Sequence, residues 1–407
     1  MVSVKSVAYG LILAFPVFII SIKVAGSFSY LFLALIGIYF WFTEKSSPFK
    51  IVEIRLYSWI VVLHFLIMLF SIIIADEPTT SLIHTGRKIQ FLLAPLVALA
   101  IYIVDPPMRI LQFYIKVGTI IIGIIVISEL FFTLGSNRLS GMFNPNIFGD
   151  IAVFMTLFSV SGVSRESNKE YIVSILALLF GIVAIVFSGS RGSTLLFLFL
   201  LSIYATIIWL YASKHNRRYL YIVVLALFSF FTLYSGTGAS ERMQKITQDI
   251  QQWESRENLK TSNGSRLEMY KSGIQAYADS PWFGYGYRNS NYVASRYVEN
   301  REMQKIIYGF SHLHNTYLTH MVNAGVLGLI SLLMVFLLPL KVFFGKLSNC
   351  NVFEASLMGT LLVFGYMSIG MVHSVFHEEY KNSFYLFMLA VFLIKTQKNK
   401  PRKESLC

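Results

Sequence analysis

Asn263-Gly264-Ser265-Arg266-Leu267-Glu268-Met269-Tyr270 lies inside residues 235–315, the one long polar stretch of the chain. On either side of that stretch, apolar runs alternate with short loops. Of the 407 residues, 55% are hydrophobic and 14% charged, whereas soluble domains are roughly one quarter charged. Apolar runs of about 17–25 residues match the thickness of the hydrocarbon core. Twelve are predicted, near 7–22, 26–43, 56–75, 88–104, 117–134, 147–163, 171–188, 194–212, 219–234, 320–340, 356–373 and 383–395. The fold expected is an all-α polytopic membrane protein of about 12 transmembrane helices with one large, partly helical loop. Residues 1–234 carry the first nine spans, 235–319 the loop, 320–395 the last three spans and 396–407 a basic tail.

The net charge of +13 does not indicate nucleic acid here. With the N-terminus inside, the predicted cytoplasmic segments hold 18 Lys and Arg and the short outer segments 6, an asymmetry that follows the positive-inside rule. The large loop is therefore expected outside the cytoplasm and both termini inside it. Cys350 and Cys407 fall on the predicted cytoplasmic side, so no disulfide is expected. The first run is followed at once by a second and lacks a small-x-small cleavage site, so it is read as a retained helix.

Four of those six outer basic residues are placed at the outer membrane boundary. Arg87 and Lys88 begin the fourth span, Arg138 sits in Ser136-Asn137-Arg138-Leu139-Ser140-Gly141, and Arg191 sits in Ser188-Gly189-Ser190-Arg191-Gly192-Ser193. Singly, each is explained as an interfacial anchor that snorkels to the headgroups. Together at one depth they suit an anionic headgroup or a pyrophosphate.

Two amphipathic helices are expected in the loop. In the first, Met243, Ile246, Ile250 and Trp253 recur at spacings of three and four. The second runs from Ser265 and stops at Asp279-Ser280-Pro281, because proline cannot continue a helix. Gly284 and Gly286 then mark a turn. Arg266 is placed in the first turn of the second helix, where the positive end of the dipole favours an anion. A surface ion pair with Glu268 is its ordinary alternative.

His314 precedes the tenth span with Asn315 beside it, and a histidine there can act as a base near neutral pH. An interfacial histidine bonded to backbone is the bland alternative. His312 and His320 are weaker candidates. No metal is expected, since these histidines lack Asp or Glu at ligand spacing and there is no H-E-x-x-H. Glu129 in the fifth span is the clearest intramembrane acid, and by itself it is weak support for a transporter.

The twelve spans, the Ser-Gly-Ser-Arg191-Gly-Ser turn, Gly-Ser-Arg266-Leu-Glu-Met-Tyr, Ser280-Pro-Trp-Phe-Gly-Tyr-Gly286 and His312-Leu-His314-Asn315 followed by Ala324-Gly-Val-Leu-Gly328 resemble the bacterial O-antigen ligase family. The resemblance implies a metal-independent, inverting glycosyltransferase without a cofactor, in the Gram-negative inner membrane. Such enzymes move a polysaccharide from undecaprenyl pyrophosphate to lipid A–core on the periplasmic face. By motif match, Arg191 and Arg266 would hold the pyrophosphate and His314 would be the essential histidine. Arg138, Arg87 and Lys88 would add to the donor site, with Asn315 and His312 in support. Undecaprenyl-linked polysaccharide, lipid A–core and membrane lipids are the partners implied.

Two alternatives stay open. A polysaccharide polymerase of the same superfamily would use the same donor and a second undecaprenyl-linked chain as acceptor. A lipid or sugar exporter would need broken helices and polar midplane residues, which the sequence shows sparsely.

Overall fold

A computed structural model describes residues 3–22, 24–45, 47–75, 78–132, 138–163, 167–211, 217–235, 239–287, 293 and 312–397. The basic tail from 398 and much of the loop, 288–292 and 294–311, lie outside the described residues. Among those described the secondary structure is helical, with no strand. In hydrocarbon a helix satisfies every backbone group within its own segment, which is why apolar runs resolve this way.

In chain order the helices are α1 (Val4–Ser21), α2 (Ala25–Thr43), α3 (Val52–Phe70), α4 (Pro78–Gly86), α5 (Ile89–Val104), α6 (Met108–Phe132), α7 (Pro145–Ser159), α8 (Asn168–Phe187), α9 (Arg191–Tyr211), α10 (Arg217–Ser235), α11 (Ala239–Glu254), α12 (Ser262–Asp279), α13 (Thr316–Phe344), α14 (Phe353–Gly370) and α15 (Glu379–Gln397). Each predicted run falls on one of them. Among the described residues, ten helical segments are long and apolar enough to cross a membrane, as expected of a multi-pass membrane protein. The sixth and twelfth predicted spans are not among the ten. α7 has 15 residues, and α15 carries Glu379, Lys381 and Lys395.

The charges on α15 are tolerated because it is the buried axis of the bundle: every residue from Tyr380 to Ile394 is buried. Lys381 pairs with Asp150 of α7 at 2.7 Å, and Lys395 pairs with Asp105. Buried tyrosines satisfy backbone carbonyls around the same axis. Tyr57 donates to the Leu386 carbonyl (3.1 Å), Tyr366 to that of Lys381 (2.8 Å) and Tyr385 to that of Val335 (2.9 Å). Without water, such bonds are what make a buried hydroxyl affordable.

α13 is broken at Ala324–Gly325, where Gly325 takes φ +58°. The segment after α12 plugs the break. Tyr285 N–H donates to the Val322 carbonyl (2.8 Å), Gly286 N–H to that of Asn323 (3.0 Å), and Val326 N–H to that of Pro281 (2.8 Å). The Ser-Pro-Trp-Phe-Gly-Tyr-Gly and Ala-Gly motifs are thus two halves of one interlock. An exporter would use a broken helix to bind cargo, whereas these freed backbone groups are taken up within the chain.

Two smaller expectations concern single residues. The expectation that Cys350 and Cys407 form no disulfide involves residue 407, which lies outside the described residues. Glu129 accepts from Ser140 N–H (2.8 Å) and Gly141 N–H (2.9 Å), which makes it an anchor for the loop that carries Arg138.

Candidate active site

Three helix N-termini meet around one cavity of about 770 Å³. α7 brings Asn146, α9 brings Arg191 and Gly192, and α12 brings Ser262 and Asn263. Each N-terminus brings the positive end of its dipole, with one N–H in each capped by the side chain of Asn144, Ser190 or Thr261. Arg138, Arg191 and Arg266 line the same cavity. Arg138 donates through Nη2 to Asn146 Oδ1 at 2.7 Å. Leu195, Phe199 and Ile369 supply an apolar wall. Guanidinium groups, dipoles and an apolar wall together suit a phosphorylated lipid.

The local geometry of α12 differs from the expected one. Thr261 caps the helix by accepting from Gly264 N–H at 3.0 Å, so the helix begins at Ser262 and Arg266 lies in its second turn. The dipole therefore acts through Ser262 and Asn263, and Arg266 contributes its own charge. Glu268 is taken by Trp253 Nε1 at 2.8 Å. Neither Arg266 nor Arg191 makes an ion pair among the described residues. Burial disfavours the charge on Arg266, Tyr270 favours it and neighbouring Arg191 again opposes it. Two guanidinium groups that repel each other without a carboxylate between them are stabilised by an incoming anion.

The Arg191 turn is tied down from behind. Ser193 Oγ donates to Asp150 Oδ1 at 2.8 Å, and Lys381 Nζ donates to Asp150 Oδ2 at 2.7 Å. Asp150 also lines the cavity. Lys381 offsets its charge, so the wall does not repel an anion. A buried pair of this kind is costly to break from one side. Sequence reasoning missed Asp150, and Lys381 entered only as one of the outer charges.

Tyr270, one helical turn beyond Arg266, reaches the next group. Its hydroxyl lies 3.3 Å from the His314 carbonyl and 3.2 Å from that of Met371. Asn315 caps α13 by accepting from Leu318 N–H (3.0 Å) and donates to the Met371 carbonyl (3.1 Å). His314 is held between them at φ +50°, a conformation rare for a residue with a Cβ. Burial first, and the Arg266 guanidinium second, hold its imidazole down to about 4. It is neutral at physiological pH.

Two histidines that the sequence did not single out stand beside it. His373 lines the arginine cavity, with its ring 6.4 Å from that of His314. Burial, then Lys381, Arg266 and His314 itself, push it down to about 2. The His312 ring packs at a tilt against two others, its centroid 4.3 Å from that of His314 and 4.4 Å from that of His377. The four rings form a chain of contacts. Among the described residues no group of three or more His, Cys, Asp or Glu could hold a metal ion. Both missed histidines lie between α14 and α15, in Met371-Val-His-Ser-Val-Phe-His377; their place between two spans on the predicted outer side was the available signal.

Arg87 and Lys88 lie apart from the arginine cavity. Arg87 lines a second cavity with His377. Lys88 is buried with its ammonium over the Tyr287 ring, 4.8 Å from the centroid. His320 bonds the Thr316 carbonyl at 2.7 Å and packs its ring 5.2 Å from that of His64.

Residues 176–333 match the family model described as O-antigen ligase. A Haemophilus influenzae protein, described as uncharacterized, is 26% identical over 242 residues; the match covers 58% of this chain and 57% of that protein. The chain thus spans less than two thirds of the relative's length.

Proposed function

We propose, from the match of residues 176–333 to the O-antigen ligase family model, that the chain transfers a polysaccharide from undecaprenyl pyrophosphate to a sugar hydroxyl of lipid A–core. The observation that carries this reading is the cavity in which Arg191 and Arg266 lie without an ion-pair partner among the described residues, next to His314. On this reading the protein sits in the inner membrane with the cavity on the periplasmic side.

The chemistry asks for two things. The bond from the anomeric carbon to the pyrophosphate oxygen breaks, and the pyrophosphate leaves with the electron pair. Arg191 and Arg266, with the N-termini of α9 and α12, stabilise that growing charge. Loss of one such donor typically costs roughly 3–4 kcal/mol. Meanwhile the acceptor oxygen bonds the anomeric carbon from the opposite face, which inverts the centre, and gives its proton to neutral His314. A positioned base contributes about 10²–10⁴ in rate.

The donor itself strengthens the base. The Arg266 guanidinium by itself depresses His314. A pyrophosphate beside Arg266 offsets that positive charge, so the imidazole becomes a better proton acceptor when the donor is bound. His373, in the cavity wall, is placed to orient the donor through hydrogen bonds.

The lipopolysaccharide gel pattern of a deletion strain tests the function. Loss of the ligase leaves bare core while lipid-linked polysaccharide accumulates. Core carrying a single repeat unit would instead identify a polymerase.

A further inference from the structure

Arg87 belongs to a second cavity of about 450 Å³, and its lining differs in kind from the first. The arginine cavity presents positive charge to its occupant. The second carries Arg87 together with Glu378 and Glu379, none of which makes an ion pair among the described residues. Carboxylates repel a pyrophosphate but accept well from sugar hydroxyls. Gln90 lines the same cavity, and it is 8% exposed. Its side-chain Oε1 is buried without a hydrogen-bond partner among the described residues. A buried amide oxygen left so is costly unless a donor arrives.

The far wall is apolar. Phe28 and Leu31 of α2 and Ile89 of α5 line it and are themselves exposed on the bundle's outer face. One side therefore suits an acyl chain and the other a polyhydroxyl head. The cavity is also connected to the reacting group. His377 lines it, His312 touches His377, and His314 touches His312. His373, on the other side of His314, lines the arginine cavity. The histidine chain thus runs from one cavity to the other.

We propose that this second cavity, between α2, α5 and the N-terminus of α15, binds the lipid-anchored saccharide acceptor and delivers its hydroxyl to His314. The inference rests on the transferase reading above and assigns the site of its second substrate. Arg87 takes an anionic substituent of the saccharide, Glu378, Glu379 and Gln90 take its hydroxyls, and the α2–α5 wall takes its lipid.

Binding measured without turnover tests it. Purified protein in nanodiscs is titrated separately with lipid A–core lacking polysaccharide, with undecaprenyl pyrophosphate and with an undecaprenyl-linked saccharide. Arg87→Ala and Glu378→Gln should each weaken lipid A–core binding by at least about tenfold, the loss expected of a hydrogen bond to a charged group. Both should bind undecaprenyl pyrophosphate like wild type, which also shows that they are folded. Arg191→Ala should do the reverse. Lipid A–core binding that is unchanged in both second-cavity variants, or an equal loss of undecaprenyl pyrophosphate, would overturn the proposal. If wild type binds no lipid A–core but binds an undecaprenyl-linked saccharide at a site that Glu378→Gln removes, the ligase reading fails while the acceptor cavity stands.

Discussion

His314 sits where three influences meet: a left-handed backbone, a hydrogen bond to its carbonyl from Tyr270, and the field of Arg266. In the proposed reaction its neutral form is the base, and burial with the Arg266 guanidinium holds its protonation down to about 4. The sign of the pH effect follows. Below that value the imidazole is charged and cannot accept the proton, so kcat/KM falls on the acid side. A bound pyrophosphate beside Arg266 raises the imidazole's proton affinity, so the acid limb of kcat, which reports the bound state, lies at higher pH than that of kcat/KM. Rate against pH for wild type and His314→Gln checks this. The substitution should remove the limb and lower transfer about 10²–10⁴-fold. An unchanged rate and profile would mean that His314 is neither base nor orienter. His314 was legible because it stands at a span boundary in a recognisable motif. His373 and Asp150 were not, since their meaning comes from helices far apart in the chain that no local pattern pairs.

At the scale of elements, the glycine motifs prove to be architectural. The spacing of Gly284 and Gly286 was readable as a turn, but the partner of that turn was not. The break in α13 looks in sequence like one more apolar run, Ala324-Gly-Val-Leu-Gly328. Only the three-dimensional arrangement shows Pro281 to Gly286 filling it. A Cβ on Gly325 would stand 2.3 Å from the Trp282 backbone, at a φ of +58°. Gly325→Ala should therefore destabilise the protein by at least about 1–3 kcal/mol, the range for strained backbone. The displaced segment follows α12, which carries Arg266, so transfer should fall with stability. Thermal unfolding of the detergent-solubilised protein reads the first effect directly. An unshifted midpoint would show that the interlock does not hold the two segments together. The amphipathic stripes placed α11 and α12 within a few residues, yet the Thr261 cap moved the start of α12 and with it the position of Arg266.

Over the whole molecule, sequence hydropathy was enough for an all-helical, multi-pass chain because hydrocarbon leaves few options, while two of the twelve predicted spans fall outside the ten apolar segments found among the described residues. It was weakest at α15, whose burial by other helices frees it from facing lipid. The basic residues were suspected as a group, but the group divides. Arg138, Arg191 and Arg266 share one cavity, Arg87 lines another and Lys88 lies in neither. Charge and predicted depth cannot separate residues that different helices carry to different sides of a histidine chain. The central claim is that the arginine cavity holds the pyrophosphate of a lipid-linked polysaccharide during its transfer to lipid A–core. It is tested most directly with purified protein, undecaprenyl-pyrophosphate-linked polysaccharide and lipid A–core in the presence of EDTA. Wild type should form the joined lipopolysaccharide, whereas Arg191→Ala and Arg266→Ala should each lose at least about 10²-fold in rate. Lysine at either position should recover only part of it, for want of the planar fork. Full transfer by both alanine variants would contradict the account.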